Sequence, residues 1–398
     1  MHPALKPQRI LSIDAFRGIT ILVMVFVNEL AGIRDIPQWM KHMPADADAM
    51  TFVDVVFPAF LFIVGMSVPF ALHNRMQKGD GFLRLQWHIV WRTAGLLVLG
   101  IFMVNGEGGY NEKAMGMSIH LWLLLFYICA VLVWNVYSAQ KRVWVYLLRT
   151  TGIAGLIALA CIYRSGEAGT GHMQPRWWGI LGLIGWAYLF GCIVFQLFQK
   201  NIFVMLVMIA FCISFYIAGQ TSFVQNNSGL RWISNQAGNA AHTSVVLCGI
   251  VLSLIYFDKP GGKSVTRRFV EAGIFALLLF AAGYVLRPYF EISKINATPT
   301  WCLYSAVICC IAFGILYWLI DIKKKSAWTH FFKPAATNPL LTYIIPGILY
   351  ALFSVLQITL FPSGLRYGLP GFFWAVFYAI AVMYAAKGLI RINIRLQL

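Results

Sequence analysis

The sequence predicts an all-α, polytopic membrane protein with about 10–12 transmembrane helices, and its composition is the first reason. Of 398 residues, 60% are hydrophobic and only 11% are charged, whereas a typical soluble domain is about half apolar and a quarter charged. The mean hydropathy is +0.73, and apolar residues are spread along the whole chain. The apolar runs are continuous, which favours helices, because lipid-facing strands would alternate apolar and polar residues.

Windows of about 20 apolar residues, the length a helix needs to cross a bilayer, divide the chain into roughly twelve spans. They are predicted near 10–30, 52–72, 88–105, 116–137, 143–163, 177–198, 201–218, 241–257, 268–287, 300–320, 338–359 and 370–390. Three of these are short, so ten or eleven spans remain open. The stretch from Gly219 to Ala241 is rich in Asn, Gln, Ser and Gly, which predicts a loop.

The basic residues predict the orientation of the spans. The formal net charge is +17, and in a membrane protein such an excess collects in cytoplasmic loops, so we expect no nucleic-acid partner. The richer set of alternate loops contains Lys6, Arg9, Arg75, Lys78, Arg84, Lys141, Arg142, Lys200, Lys259, Lys263, Arg267, Arg268, Lys323, Lys324, Lys325, Arg391 and Arg395. Both termini are therefore predicted to be cytoplasmic. The loop that carries His42 would lie outside, which is the periplasm if the chain sits in a bacterial inner membrane.

The chain shows no internal repeat, linker or soluble domain, so we expect one integral membrane domain over residues 1–398. The first span begins after a basic segment, as a signal peptide would. It lacks a small-x-small cleavage site and is interrupted by Asp14 and Arg17, so we interpret it as a retained span. All eight cysteines lie in or beside apolar runs without metal-type spacing, which predicts structural cysteines and no metal.

Polar residues cluster around the first two spans, which form a predicted hairpin over 10–72. Asn28 ends the first span, Asp54 begins the second, and His42 is the only histidine in the loop between them. A histidine suits proton transfer near neutral pH, a carboxylate can orient it, and an amide can hold a developing oxyanion. This set is the minimum needed for acyl transfer. The alternative is a solvated histidine, with Asp54 capping the second helix behind Thr51.

Charged groups elsewhere give further candidates. Asp14 and Arg17 share one helix face, so they either pair with each other or form part of a phosphate-binding mouth on the inner side. Glu291 and Lys294 lie outside before the segment NATPTW, where they contact a polar substrate or water. Trp301 fits the aromatic belt at the membrane interface by default and stacks on a sugar ring in the alternative interpretation.

The stretches SIDAFRGITILVMVFVN and FVDVVFPAFLFIVGMS, with KH in the loop between them, resemble the heparan-alpha-glucosaminide N-acetyltransferase family. The resemblance covers Ser12–Ser67 and is weaker at ISKINATPTWCLYSA and TNPLLTYIIPGILY. The central segment MGMSIHLWLLLFYI lacks the Gln-Arg pair that many relatives carry there. The chain therefore resembles a divergent, bacterial-type relative.

The resemblance implies transfer of an acetyl group from cytoplasmic acetyl-CoA to the amine of a terminal glucosamine, or a related glycan acceptor, at the outer face. It maps the active histidine to His42, the asparagine to Asn28 and the aspartate to Asp54. The family's dimers make a homodimer the assembly to test. His42 would act either as general base or as a carrier that is itself acetylated, and Asn28 would hold the oxyanion.

The inner mouth fits this scheme, because Arg17 lies about 16 Å along a helix from Asn28, a distance that the arm of CoA can bridge. Asp14 shares that mouth, and Arg75, Arg84 and Arg92 are the further basic residues expected to help hold the phosphates. Lys294, Trp301 and Glu291 are the expected contacts of the acceptor.

A multi-span transporter of a small polar or sugar-like solute is the alternative function, because buried charges also mark transport pathways. No paired repeat and no matching Gly- or Pro-broken spans occur in two halves of the chain. A membrane scaffold without chemistry is a third class, which the grouping of His42, Asn28 and Asp54 disfavours.

Overall fold

The computed structural model describes residues 10–138, 142–199, 201–257, 262–359 and 363–398. Within these ranges the chain forms helices joined by loops, with isolated β-bridges and no strand. The predicted all-α class is therefore confirmed. Of the basic residues that predicted the orientation, Lys6, Arg9, Lys141, Lys200 and Lys259 lie outside the described residues, and the orientation stays a prediction.

Twelve long helices carry the described fold, here named α1 to α12. They are α1 (Leu11–Leu30), α2 (Phe52–Gln77), α3 (Phe82–Gly106), α4 (Ile119–Trp134), α5 (Arg142–Ile162), α6 (Gly179–Phe198), α7 (Ile202–Gly219), α8 (Arg231–Phe257), α9 (Val265–Leu286), α10 (Pro299–Tyr317), α11 (Pro339–Val355) and α12 (Gly368–Arg391). Ten helices in the described ranges are long and apolar enough to cross a membrane, and α4 and α11 are shorter apolar helices. The chain is thus an integral membrane protein with many spans, as its composition predicts.

The loop predicted between Gly219 and Ala241 is largely wrong. A short helix covers Ser222–Asn226, and α8 begins at Arg231, ten residues before the predicted span. The polar side chains in this part of α8 find partners along the helix: Asn239 donates to the Gln236 side chain, and the Thr243 hydroxyl donates to the Asn239 carbonyl. Local hydrogen bonds of this kind let polar residues occupy a helix that a hydropathy window does not detect.

The described fold divides into two compact units, so the expectation of one domain over residues 1–398 stays a prediction. The first unit comprises Met1–Thr20, Pro37–Val90 and Trp186–Lys333. Its centre is α8, which is almost entirely buried and packs against α2, α7 and α10. This unit also holds α9 and residues 37–51 of the loop between the first two spans.

Two glycines allow α2 and α8 to cross closely in the first unit. A Cβ atom on Gly65 would overlap the carbonyl oxygen of Val246, and one on Gly249 would overlap the carbonyl oxygen of Phe62. In a membrane, helices associate mainly by such close packing, because the lipid tails are as apolar as the side chains. The crossing fixes the position of α2, whose N-terminal end carries the candidate site.

The second unit comprises Ile21–Ile36, Trp91–Gly185 and Pro334–Leu398. In it α4 packs against α5 and α11, and α11 packs against α12. A stack of Phe102, Trp122 and Phe126 fills part of its core. Glu29, near the end of α1, accepts hydrogen bonds from Tyr350 at 2.5 Å and from Trp374 at 3.1 Å.

Candidate active site

The loop between α1 and α2 brings His42 onto a buried carboxylate. The Nδ1 atom of His42 lies 2.7 Å from Oδ1 of Asp54. The Asp54 side chain is 1% exposed, whereas that of His42 is 38% exposed. Because an ionised carboxylate can only accept, the proton of this hydrogen bond lies on Nδ1, and the lone pair of the ring lies on Nε2.

Asp54 has a second role, as the capping residue of α2. The Thr51 side chain accepts from the Val53 amide, and Asp54 Oδ2 accepts from the Thr51 amide at 3.1 Å in a capping box. Oδ2 also accepts from the Met43 amide at 3.3 Å. The two interpretations of Asp54 from sequence, helix cap and histidine partner, therefore hold together, one on each carboxylate oxygen.

Trp301 packs against the same turn of α2. It is 0% exposed, and its Nε1 atom donates to the carbonyl oxygen of Asp54 at 3.1 Å. His242 of α8 packs edge-on against Trp301 and Phe57, as expected for a histidine in helix packing. The hydrogen bond of Trp301 is thus made with the protein backbone, and its predicted contact with an acceptor stays a prediction.

Lys294 reaches the same histidine from the loop between α9 and α10. Its Nζ atom lies 3.1 Å from Nδ1 and 3.2 Å from Nε2 of His42. Because Nζ is almost equidistant from the two ring nitrogens, it lies beside the ring and not along the in-plane lone pair of Nε2. Burial lowers the pKa of Lys294, and the nearby carboxylate of Asp54 only partly offsets that effect.

Asp48 connects the loop between α1 and α2 to the loop between α9 and α10, a role that could not be predicted from the sequence. Its Oδ1 atom accepts from the Ile292 amide at 2.9 Å, and Arg287 donates to both carboxylate oxygens at 3.2 Å. The Ile292 amide, followed by the Arg287 guanidinium, holds the pKa of Asp48 below its usual range. Asn296 adds a hydrogen bond from its side chain to the carbonyl of Ala45 at 3.4 Å. These contacts hold Lys294 beside His42.

The arrangement is an Asp-His pair with a lysine beside the histidine ring. A buried carboxylate fixes the tautomer and orientation of the imidazole, which leaves Nε2 as the basic atom. The group is built for proton transfer or nucleophilic attack by the ring. For either role, an incoming group approaches Nε2 beside the ammonium of Lys294.

Two other residues predicted near this site lie apart from these contacts. Asn28 is exposed at the end of α1 and belongs to the second unit, so its meeting with His42 stays a prediction. Glu291 is an exposed residue of the loop that carries Lys294.

Two of the four arginines predicted for the inner mouth bond acidic side chains. Arg17 donates to Asp14 at 2.9 Å and to the Ser67 hydroxyl of α2 at 2.8 Å. Arg75 donates to Asp80 at 2.7 Å. Two more arginines complete the predicted set: Arg84 is exposed in the first unit, and Arg92 belongs to the second. Phosphate binding by these residues stays a prediction.

Residues 9–241 match a sequence family described as a domain of unknown function, DUF5009. The match covers 233 of the 398 residues, which is more than half of the chain. The chain belongs to the DUF5009 family. The match includes His42 and Asp54 but ends before Lys294, so the lysine of this DUF5009 site comes from outside the matched region.

Two relatives of this DUF5009 protein carry the name heparan-alpha-glucosaminide N-acetyltransferase. The human protein is 40% identical over 100 residues, and the mouse protein is 37% identical over 99 residues. Each alignment covers 25% of this chain and only 14% of the relative. The likeness supports the family relation that the sequence motifs predicted, without pointing to a particular member.

Proposed function

We propose that the protein is a transmembrane acyltransferase that moves an acetyl group from cytoplasmic acetyl-CoA to the amine, or hydroxyl, of glucosamine or a related sugar at the outer face. The name of the human and mouse relatives supports the acetyl transfer. The observation that carries the proposal is the hydrogen bond of 2.7 Å between His42 and the buried Asp54. It supplies an oriented base whose Nε2 atom is not used by Asp54.

In the one-step route, the acceptor amine attacks the carbonyl carbon of the thioester while Nε2 of His42 takes a proton from the amine. The carbon–sulfur bond then breaks, and the thiolate of CoA leaves and is protonated. In the two-step route, Nε2 attacks the thioester first, the carbon–sulfur bond breaks and the thiolate of CoA leaves. The amine then attacks the acetyl group on the ring, the bond to Nε2 breaks, and the amine loses a proton. Asp54 stabilises the positive ring in both routes, and Asn28 is proposed to hold the oxyanion.

The donor is proposed to bind from the inner side, with its phosphates near Arg17. In the structure this arginine bonds Asp14 and Ser67, which keeps its guanidinium ordered. A phosphate would compete with Asp14 for one edge of the guanidinium, because arginine binds carboxylates and phosphates with the same fork of donors.

The proposal is tested by measuring thiol release from acetyl-CoA. The assay uses the purified full chain in detergent, with glucosamine as trial acceptor. We expect release that depends on the acceptor and is lost in His42→Ala. The matched control is His120→Ala, which removes an exposed histidine at the start of α4 and should leave the rate unchanged.

The outcomes separate the function classes. Absence of acetyl-CoA binding would reject the acyltransferase and favour the transporter. Binding without turnover would reject glucosamine as acceptor, and other amino sugars would then be assayed. To distinguish the routes, the protein is incubated with acetyl-CoA alone, quenched and analysed by mass spectrometry. An acetyl group on His42 occurs only in the two-step route.

A further inference from the structure

A groove on the surface of the first unit lies apart from His42 and is not used by the proposed reaction. It has a volume of about 450 Å³, which is within the range of small-molecule sites. Its lining is apolar and comes from α8, α9 and α10: Tyr256, Phe269, Ala272, Gly273, Ala276, Cys310, Ile311, Gly314, Ile315 and Trp318.

The groove opens towards the lipid. Its outer wall includes Ile311 and Ile315, which are 57% and 54% exposed, and most of α9 is exposed as well. From Phe269 to Ala276 the groove extends about 10 Å along α9, which is less than the depth of one leaflet. These dimensions and the mostly apolar lining suit the first part of an acyl chain that lies against the protein better than a sugar or nucleotide.

One end of the groove is strongly basic. Here α9 begins and α10 ends, and the six cations are Lys263, Arg267, Arg268, Lys323, Lys324 and Lys325. Two acids partly balance this charge: Glu271 pairs with Lys263 and Arg267, and Asp321 lies near Lys324. The excess is positive, and this is the end predicted to face the cytoplasm.

Two of these cations are fixed beside residues of the groove. Lys323 lies 5.5 Å from the ring centre of Trp318, which lines the groove. Arg268 donates through Nη1 to the Tyr317 hydroxyl at 2.9 Å. Within the described part of the chain its Nε atom is buried without a hydrogen-bond partner. A buried donor of this kind is costly unless an acceptor binds it.

We propose that this groove binds one acyl chain of an anionic phospholipid, whose phosphate is held by Arg268 and Lys323. Basic residues at the cytoplasmic end of transmembrane helices attract anionic headgroups, and an apolar groove below them fixes the chain. The phosphate supplies the acceptor that Nε of Arg268 lacks. The site is independent of the acyl-transfer proposal, because it shares no residue with it.

Native mass spectrometry of the full chain in detergent tests the site, with phosphatidylglycerol and phosphatidylcholine of identical palmitoyl and oleoyl chains as probes. We expect tighter binding of phosphatidylglycerol, and a loss of about fivefold for Arg268→Gln and for Lys323→Gln. Tyr317→Phe removes the same internal hydrogen bond as Arg268→Gln but keeps the cation, so it should bind as wild type. Arg391→Gln removes a cation from the end of α12 and should also have no effect.

Gly273→Leu tests the groove itself. A Cβ atom at Gly273 meets no protein atom within 4 Å, so we expect a leucine there to enter the groove without disturbing the helix. We expect it to weaken both lipids, whereas Gly388→Leu, at an equally open glycine of α12, should weaken neither. Equal effects of the two variants, or equal affinity of wild type for both lipids, would overturn the proposal. So would a dimer lost in Gly273→Leu with lipid binding intact, or competition between phosphatidylglycerol and acetyl-CoA.

Discussion

Lys294 contacts His42 across 252 positions of sequence, with its Nζ atom 3.2 Å from Nε2 of the ring. Asp54 holds the other side of the same imidazole at 2.7 Å. The histidine is thus fixed between a carboxylate and an ammonium. This geometry orients the ring and places a cation where negative charge would develop on an acyl group.

We predict that Lys294→Met lowers kcat/KM for acetyl transfer by about ten- to a hundredfold, because a hydrogen bond with a charged partner contributes about 1.5–3 kcal/mol. Burial lowers the pKa of Lys294, so the cation is lost at a lower pH than for a free lysine. Activity should therefore fall on the alkaline side in wild type. In Lys294→Arg, whose charge persists to higher pH, that fall should move upward or disappear. A faster enzyme in Lys294→Met would instead mean that the lysine only blocks Nε2.

The carboxylate of Asp54 both orients His42 and caps α2, and a pair of variants separates these two roles. Asp54→Asn should lower kcat by a hundredfold or more, on the order of what a positioned proton-transfer group contributes. Thr51→Ala removes the cap of α2 and should cost about 1 kcal/mol of stability while leaving the His42 contact in place. Turnover and thermal unfolding of both variants check this. If Thr51→Ala lost as much turnover as Asp54→Asn, Asp54 would act through the helix cap alone.

The contacts of Asp48 with Arg287 and Ile292 should weaken in acid. Asp48 has a lowered pKa because of its contacts with the Ile292 amide and Arg287. Its contribution is therefore complete above the usual pKa of an aspartate and is lost as the pH falls through the lowered value. Limited proteolysis of the loop that carries His42 should accelerate in wild type only in strong acid. In Asp48→Ala cleavage at neutral pH should already be faster than in wild type, by at most about fivefold, because exposed ion pairs are weak. It should not become faster still in acid through loss of this contact.

Asp46→Ala is the matched control for that experiment, since it removes a neighbouring loop carboxylate. It should leave the cleavage rate unchanged. Equal cleavage of the Asp48→Ala and wild-type loops at neutral pH would show that other contacts, such as that of Asn296 with Ala45, hold the loops together.

The part of the site that the sequence could predict is the part that is local. Asp54 follows His42 by twelve residues, and a capping position after Thr51 can be recognised from residue types alone. The helices could be predicted for the same reason, because each span is a continuous apolar run. The start of α8 at Arg231 was missed, because hydropathy does not record hydrogen bonds that polar residues make along their own helix.

The distant contacts could not be predicted in this way. Lys294 and Arg287 come from a loop more than 200 residues away, and only the packing of α9 and α10 brings that loop to His42 and Asp48. The same limit applies to Trp301. Its place at the end of NATPTW is typical of the membrane interface, but the tertiary fold buries its ring under α2.

Arg17 gives a prediction about the donor. If it holds the phosphates of acetyl-CoA, Arg17→Ala should weaken acetyl-CoA binding by about ten- to a hundredfold, as expected for a charge-assisted hydrogen bond. A truncated acetyl thioester without phosphates should react at the wild-type rate. Isothermal titration with acetyl-CoA and thiol release from both donors measure this. An equal loss for both donors would mean that Arg17 only stabilises the contact of α1 with Ser67.

The crossing of α2 and α8 should tolerate no side chain at its two glycines. Gly249→Ala would place a methyl group into the carbonyl oxygen of Phe62, and separating the helices costs about 1–3 kcal/mol or more. We expect a lower melting temperature and less monodisperse protein on size exclusion, with Gly65→Ala behaving alike because it meets the Val246 carbonyl. Gly273→Ala, at an open glycine of α9, should be neutral or slightly stabilising, since alanine favours a helix. Wild-type stability of Gly249→Ala would mean that the two helices can separate freely. The contact of Trp301 with Asp54 would then have to hold the N-terminal end of α2 without the support of that crossing.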